Sequence, residues 1–182
     1  MRNCPSYVTV NGVKYPINTD FRVALECLQI VDDTEIGDAE RAYAVVYKLF
    51  DVISDDNELI AKLLLLACKY LRCGEDEKEQ QARQQDMDFE QDEGAIYASF
   101  MSDYHIDLST VNLHWYRFVD LLQGLTDKCV LSRTRELRTF DLSEIKDTKI
   151  RDKIAQAQQA VALKRKRTKE EKEAIDKFNA LF

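Results

Sequence analysis

The side chains best suited to holding a metal ion stand close together at Asp86, Asp88, Glu90, Asp92 and Glu93. On a helix Asp88 and Asp92 share one face and Glu90 and Glu93 another, so two rings of carboxylates could gather a divalent cation. The surroundings speak against it, because no His or Cys lies at ligand spacing and no glycine-bearing calcium loop is present. A solvated helix N-terminus, where the dipole favours carboxylates, is the preferred reading. His105 and His114 are nine residues apart and Cys68 and Cys73 five apart, and neither is a zinc spacing. The chain contains no G-x-S-x-G, no glycine-rich phosphate loop and no Cys paired with a nearby His in a known motif. No enzyme activity, metal or cofactor is therefore expected.

A second chemistry is offered by the basic run Lys164, Arg165, Lys166 and Arg167, with Lys169 and Lys172 behind it, which could contact phosphates. Glu170, Glu171 and Glu173 follow at once and pair with it at helical spacing, as on a solvated helix face. Nucleic-acid binding is kept as the runner-up. The net charge of -7 divides along the chain: from Glu144 onward eleven Lys/Arg face seven Asp/Glu, giving +4, which leaves -11 for the preceding part. An acidic body repels nucleic acid and anionic membrane and keeps an apolar working surface soluble.

The elements that must position these groups are helical. With 45% apolar residues and only five Gly and two Pro, the chain is poor in helix breakers. The expected fold is all-α, a mainly helical single domain over 1–146 with a small N-terminal β-hairpin at 7–18 and a C-terminal helical arm over 147–182. Five Cys without a C-x-x-C pair suit a reducing cytoplasm, and neither a signal peptide nor a membrane span is expected. YVTVNGVKYPIN alternates around Asn11-Gly12, the signature of a type I′ hairpin, with Pro16 marking an edge. Packing of the hairpin on its own domain is preferred to donation of a strand to a partner.

Thr19-Asp20 is placed to cap a first helix carrying Phe21, Ala24, Leu25 and Leu28. Asp38 opens a second with the stripe Ala42, Val45, Val46, Leu49, Phe50 and Ile53. After the Ser54–Asn57 stop, a third helix over 58–73 is apolar around more than half its circumference and needs neighbours on two sides, with Gly74 as its left-handed terminator. EDEKEQQARQQ from Glu75 to Gln85 carries no apolar stripe and reads as a solvated helical extension or a loop, the loop being preferred, and Thr126 to Thr139 as a mixed, Arg-rich connection.

From Asp88 to Leu125 the aromatic residues concentrate. Phe89, Ile96, Tyr97, Phe100 and Tyr104 form one stripe, and Trp115, Phe118, Val119, Leu122 and Leu125 another, with Thr110 or Asn112 offered as the cap between them. The expectation is a helical hairpin with an aromatic seam, so that Tyr97, Phe100, Trp115, Phe118 and Leu122 are candidate core or contact residues. In the arm, Ile154 and Val161 lie on a narrow stripe that resumes at Phe178 beyond the basic run. Together with Lys164, Arg165, Lys166 and Arg167 they are candidates for assembly contacts.

The order Asp-Phe-Glu-Gln-Asp (88–92), Ile96-Tyr97 with Phe100, Asp107-Leu108, Leu113-His114-Trp115 with Phe118, and Leu121-Leu122-x-Gly124-Leu125 resembles a family of phage proteins. These are the tail assembly chaperones of long-tailed phages and prophages of Gram-positive bacteria, the "gene product fifteen" family. The resemblance runs more weakly from about Tyr15 to Ile150. It implies a protein of the bacterial host cytoplasm that holds the tape measure protein until the major tail protein polymerises around it, and that is absent from the finished virion. The implied partners are the tape measure protein and the major tail protein. A homo-oligomer stays open, and a DNA-binding or regulatory accessory protein is the alternative.

Overall fold

Asn11 and Gly12 both take left-handed backbone (φ 51° and 81°), which closes strands β1 (Tyr7–Val10) and β2 (Val13–Pro16) into an antiparallel hairpin pairing Val10 with Val13 and Tyr7 with Pro16. The computed structural model describes residues 3–75 and 85–164. Seven α-helices follow the hairpin among these residues: α1 (Phe21–Asp32), α2 (Asp38–Phe50), α3 (Asn57–Leu71), α4 (Glu93–Tyr104), α5 (Trp115–Gln123), α6 (Val130–Thr139) and α7 (Thr148–Val161). A 3₁₀ turn at Leu142–Glu144 precedes α7. The protein is thus mainly helical with an N-terminal hairpin, as the composition and the Asn-Gly signal require. The predicted loop falls largely on 76–84, outside the described residues, as do Arg165, Lys166, Arg167 and Phe178.

The chain divides into two compact units, the described parts of which are 3–75 with Asn112–Val119, and 85–111 with 120–164. In the first, α2 packs on both α1 and α3, and α3 also packs on β1, which supplies the two neighbours its apolar circumference demands. Val45, Val46 and Leu49 of α2 and Leu63 and Ala67 of α3 are fully buried. Leu65 of α3 is not, being 72% exposed. The caps fall within the stretches that the sequence offered: of Thr19-Asp20 it is the Asp20 carboxylate that accepts from Arg22 N at 2.8 Å, and within the Ser54–Asn57 stop it is Asp56 that accepts from Glu58 N and Leu59 N. Ile53 falls outside α2, because Asp51 turns left-handed (φ 54°) and ends the helix at Phe50, leaving Ile53 86% exposed. At the far end of α3, Cys73 and Gly74 are both left-handed, and Gly74 N donates to Lys69 O at 2.9 Å.

Asn112–Val119 joins this unit through backbone pairing. Phe21 N donates to Leu113 O at 3.0 Å and Trp115 N to Thr19 O at 2.8 Å, on either side of the Asp20–His114 bridge. The cap of α5 is neither Thr110 nor Asn112. His114 Nδ1 accepts from Tyr116 N at 3.0 Å, which places the ring proton on Nε2, where it is donated to Pro5 O at 3.1 Å. One imidazole therefore starts a helix and ties down the chain before β1. His114→Ala should cost about 1–2 kcal/mol, typical of a lost cap, and chemical denaturation would read it. An unchanged midpoint would show that the ring holds neither end.

In the second unit α6 packs on α4 and α7 on α6. Residues 130–139, expected as part of a mixed, Arg-rich connection, form α6, whose N-cap is Cys129: its Sγ accepts from Ser132 N. The aromatic seam is redistributed as well. Ile96 and Phe100 lie in the second unit, whereas Trp115 and Phe118 lie in the first. Phe89 precedes α4, because Asp88 Oδ1 accepts from Glu90 N and Gln91 N and holds 88–92 in turns.

Candidate functional site

Two assemblies of polar and aromatic side chains stand out, one in each unit. In the first, Phe118 stacks on Phe21 of α1 with centroids 4.6 Å apart and on Trp115 at 5.7 Å, while Tyr116 stacks on Tyr70 of α3 at 5.2 Å. Trp115 Nε1 donates to Leu71 O at 3.0 Å. Trp115 and Phe118 are 2% and 1% exposed, so these candidate contact residues are core. Burial pushes the Cys27 thiol up to about 12, with the carboxylate of Glu26 adding to the shift, so it has no thiolate character at neutral pH.

The second assembly is built from the carboxylates that were weighed as a metal site. Asp92, 5% exposed, pairs in bidentate fashion with Arg138 of α6, at 2.7 Å for each contact. Asp86 takes Arg135 at 2.9 Å and gives its backbone carbonyl to Arg138 Nη1. Arg138 Nε donates to Val161 O at the end of α7, and Gln158 Nε2 donates to Leu137 O and Phe140 O. Gln91 brackets the next turn, donating to Ala162 O and accepting from Lys164 N, both at 2.9 Å. Burial alone would raise the Asp92 carboxyl, but hydrogen bonds from Arg138 and from Asp88 N hold it below the usual carboxylate range. Among the described residues no three His, Cys, Asp or Glu side chains gather to hold a metal ion. The chemistry of the cluster is that of a clamp holding the end of α7.

Beside the clamp lies an open pocket of about 420 Å³, lined by Gln85, Arg138, Leu142, Gln158, Gln159 and Leu163 among others. The segment expected as an arm therefore begins with a docked helix. Ile154 and Val161 are half-buried, Lys164 is exposed, and Asp147 caps the helix by accepting from Lys149 N and Ile150 N. Phe100 is fully buried and Leu122 6% exposed, while Tyr97 is 40% exposed on the outer side of α4. His105 ends α4 in left-handed backbone (φ 55°). Sequence reasoning missed Ser99, fully buried, whose hydroxyl donates to Ala95 O and accepts from Leu131 N at the start of α6. Ser99→Ala would strand that buried amide, and the expected loss is about 1–3 kcal/mol in chemical unfolding. A parental midpoint would count against the bond.

Fold and site together define a mainly helical protein whose polar clusters are committed to holding its own helices. Residues 2–163 match the family described as Bacteriophage Gp15 protein. The chain belongs to this family, and the match carries through α7 rather than stopping near Ile150. Neither the comparison with curated proteins nor that with solved structures gave a match. No helix among the described residues is long and apolar enough to cross a membrane.

Proposed function

We propose that the protein is a tail assembly chaperone of the phage, binding the tape measure protein and helping to recruit the major tail protein around it in the host cytoplasm. The observation that carries the reading is membership of a phage family over nearly the whole chain, joined to the ordered residues of the aromatic stretch that resemble such chaperones. The charge fits the task. A net charge of -7, the sum of -11 before Glu144 and +4 from there on, keeps a complex with an aggregation-prone client in solution.

Co-expression tests it. The tape measure protein should be insoluble alone and should become soluble and co-purify when this chain is present. Mass spectrometry of finished particles should find the tape measure protein and not this chain. Its presence in stoichiometric amount in virions would overturn the reading. Strong, salt-dependent retention on DNA without any effect on the tape measure protein would favour the accessory DNA-binding alternative.

A further inference from the structure

We propose that the outward face of α4, formed by Tyr97, Ala98 and Met101 between Glu93 and Asp103, is the docking surface for a client helix that is apolar along its centre and carries Lys or Arg at its flanks. The proposal rests on the chaperone reading and names the surface that would do the binding.

Between Glu93 in its first position and Asp103 in its last turn, α4 carries no charged residue. Its inner face, Ile96, Ser99 and Phe100, is buried, and α6 packs against the helix. The outer face is Gly94, Tyr97, Ala98, Met101 and Ser102, all exposed, with Tyr97 at 40% and Met101 at 38%. Other surface helices carry charge on their exposed side: α7 shows Arg151, Asp152 and Lys153 to solvent, and α2, though it also exposes Tyr43 and Tyr47, shows Asp38, Glu40 and Lys48. A helix without a polar face calls for cover on both sides.

Charge selects what the cover is. Between Arg83 and Arg117 the chain carries seven Asp/Glu and no Lys or Arg, and only two of the seven, Asp86 and Asp92, serve the Arg135 and Arg138 clamp. Glu90 and Glu93 lie at one end of the face, and Asp103 and Asp107 at the other. Both aspartates stay ionised at neutral pH, Asp103 held low by the Thr126 amide and Asp107 by bonds from Ser109. The Asp107 carboxylate lies against Tyr97 and raises its phenol, so the negative field reaches the middle of the face. Phosphates are repelled there. So is a second copy, since either orientation of a helix pair opposes like-charged rims: Glu93 to Glu93 in parallel, Glu93 to Asp103 in antiparallel. A helix with basic flanks meets both needs, laying apolar side chains at i, i+3 and i+4 along a track of three turns, about 18 Å. So short a track binds weakly, as suits a client that must later be released.

The experiment co-expresses the tape measure protein with the full-length chain carrying Ala98→Glu, which puts bulk and negative charge at the centre of the face. Glu90→Lys/Glu93→Lys reverses one rim, and Leu65→Glu, at an exposed site on α3, serves as control. Circular dichroism melts establish that each variant folds. At least a ten-fold loss of co-purified tape measure protein is expected for Ala98→Glu, a clear loss for the rim reversal that shrinks as salt rises, and no change for Leu65→Glu. If the parent chain captures the client and both α4 variants capture it equally, the surface is wrong while the chaperone reading survives. If the parent captures no tape measure protein at any salt, the chaperone reading falls and this proposal with it. If Ala98→Glu leaves capture intact but dissociates a dimer of the parent, the face is a self-interface and the proposal is overturned.

Discussion

Trp115→Ala is expected to lower stability by about 3–5 kcal/mol, the usual cost of emptying a buried aromatic site. Trp115 is 2% exposed, stacks on Phe118, and through Phe118 reaches Phe21 of α1. Its indole also donates the 3.0 Å bond to Leu71 O in the last turn of α3. One side chain thus ties α5 to α3 and braces the Phe118 ring that meets α1, and truncation removes the packing and leaves a buried carbonyl unpaired. Trp115→Phe separates the two contributions: it keeps a ring against Phe118 and loses only the bond and some volume, so roughly 1–3 kcal/mol is expected. At this chain length each kcal/mol lowers Tm by roughly 2–4 °C, so the alanine variant should melt about 10 °C below the parent and the phenylalanine variant between them. An alanine variant that melts with the parent would show that the indole does not hold these helices together.

The extent to which the sequence disclosed this core follows from the range of the interactions. The hairpin and α1 to α3 are written in local signals: Asn11-Gly12 for the turn, Asp20 and Asp56 as caps, and period-3.6 stripes for the buried faces. Where a local rule met a competitor of similar strength, it lost. Thr110 and Asn112 are better caps by type than His114, but His114 also bonds Pro5 O, a contact between residues 109 apart in sequence. α6 was hidden because Arg133, Arg135 and Arg138 make it look like a solvated connection, and a cysteine caps it. Two of those arginines turn inward to Asp86 and Asp92. Phe89 extended the aromatic stripe too far, since a stripe records spacing and not the turn that Asp88 imposes. Of the candidate site residues, Trp115 and Phe118 were found by type. Which unit they would join depended on backbone pairing with Thr19 and Phe21, for which no pattern in the sequence stands.

The Asp92–Arg138 pair should show the other large effect, because its partners are only 5% and 8% exposed. Asp92→Ala leaves the guanidinium buried without its counter-charge and should cost about 3–5 kcal/mol. Arg138→Met strands the Asp92 carboxylate and frees Val161 O and Asp86 O, so a loss of similar size is expected. Replacing both, as Asp92→Leu with Arg138→Met, removes the charges together and should recover much of the stability, though not all, because the two carbonyls keep no donor. The pH dependence has a fixed sign. Asp92 binds its proton more weakly folded than unfolded, so the pair contributes its full stability above the ordinary carboxylate range and loses it as pH falls through the depressed folded value. The parent should therefore lose stability more steeply below about pH 4 than the double variant, which has no carboxylate at this position. Parallel acid profiles, or a double variant as unstable as the worse single one, would mean that the pair does not clamp α7 and that the backbone bonds of Arg138 hold the helix instead.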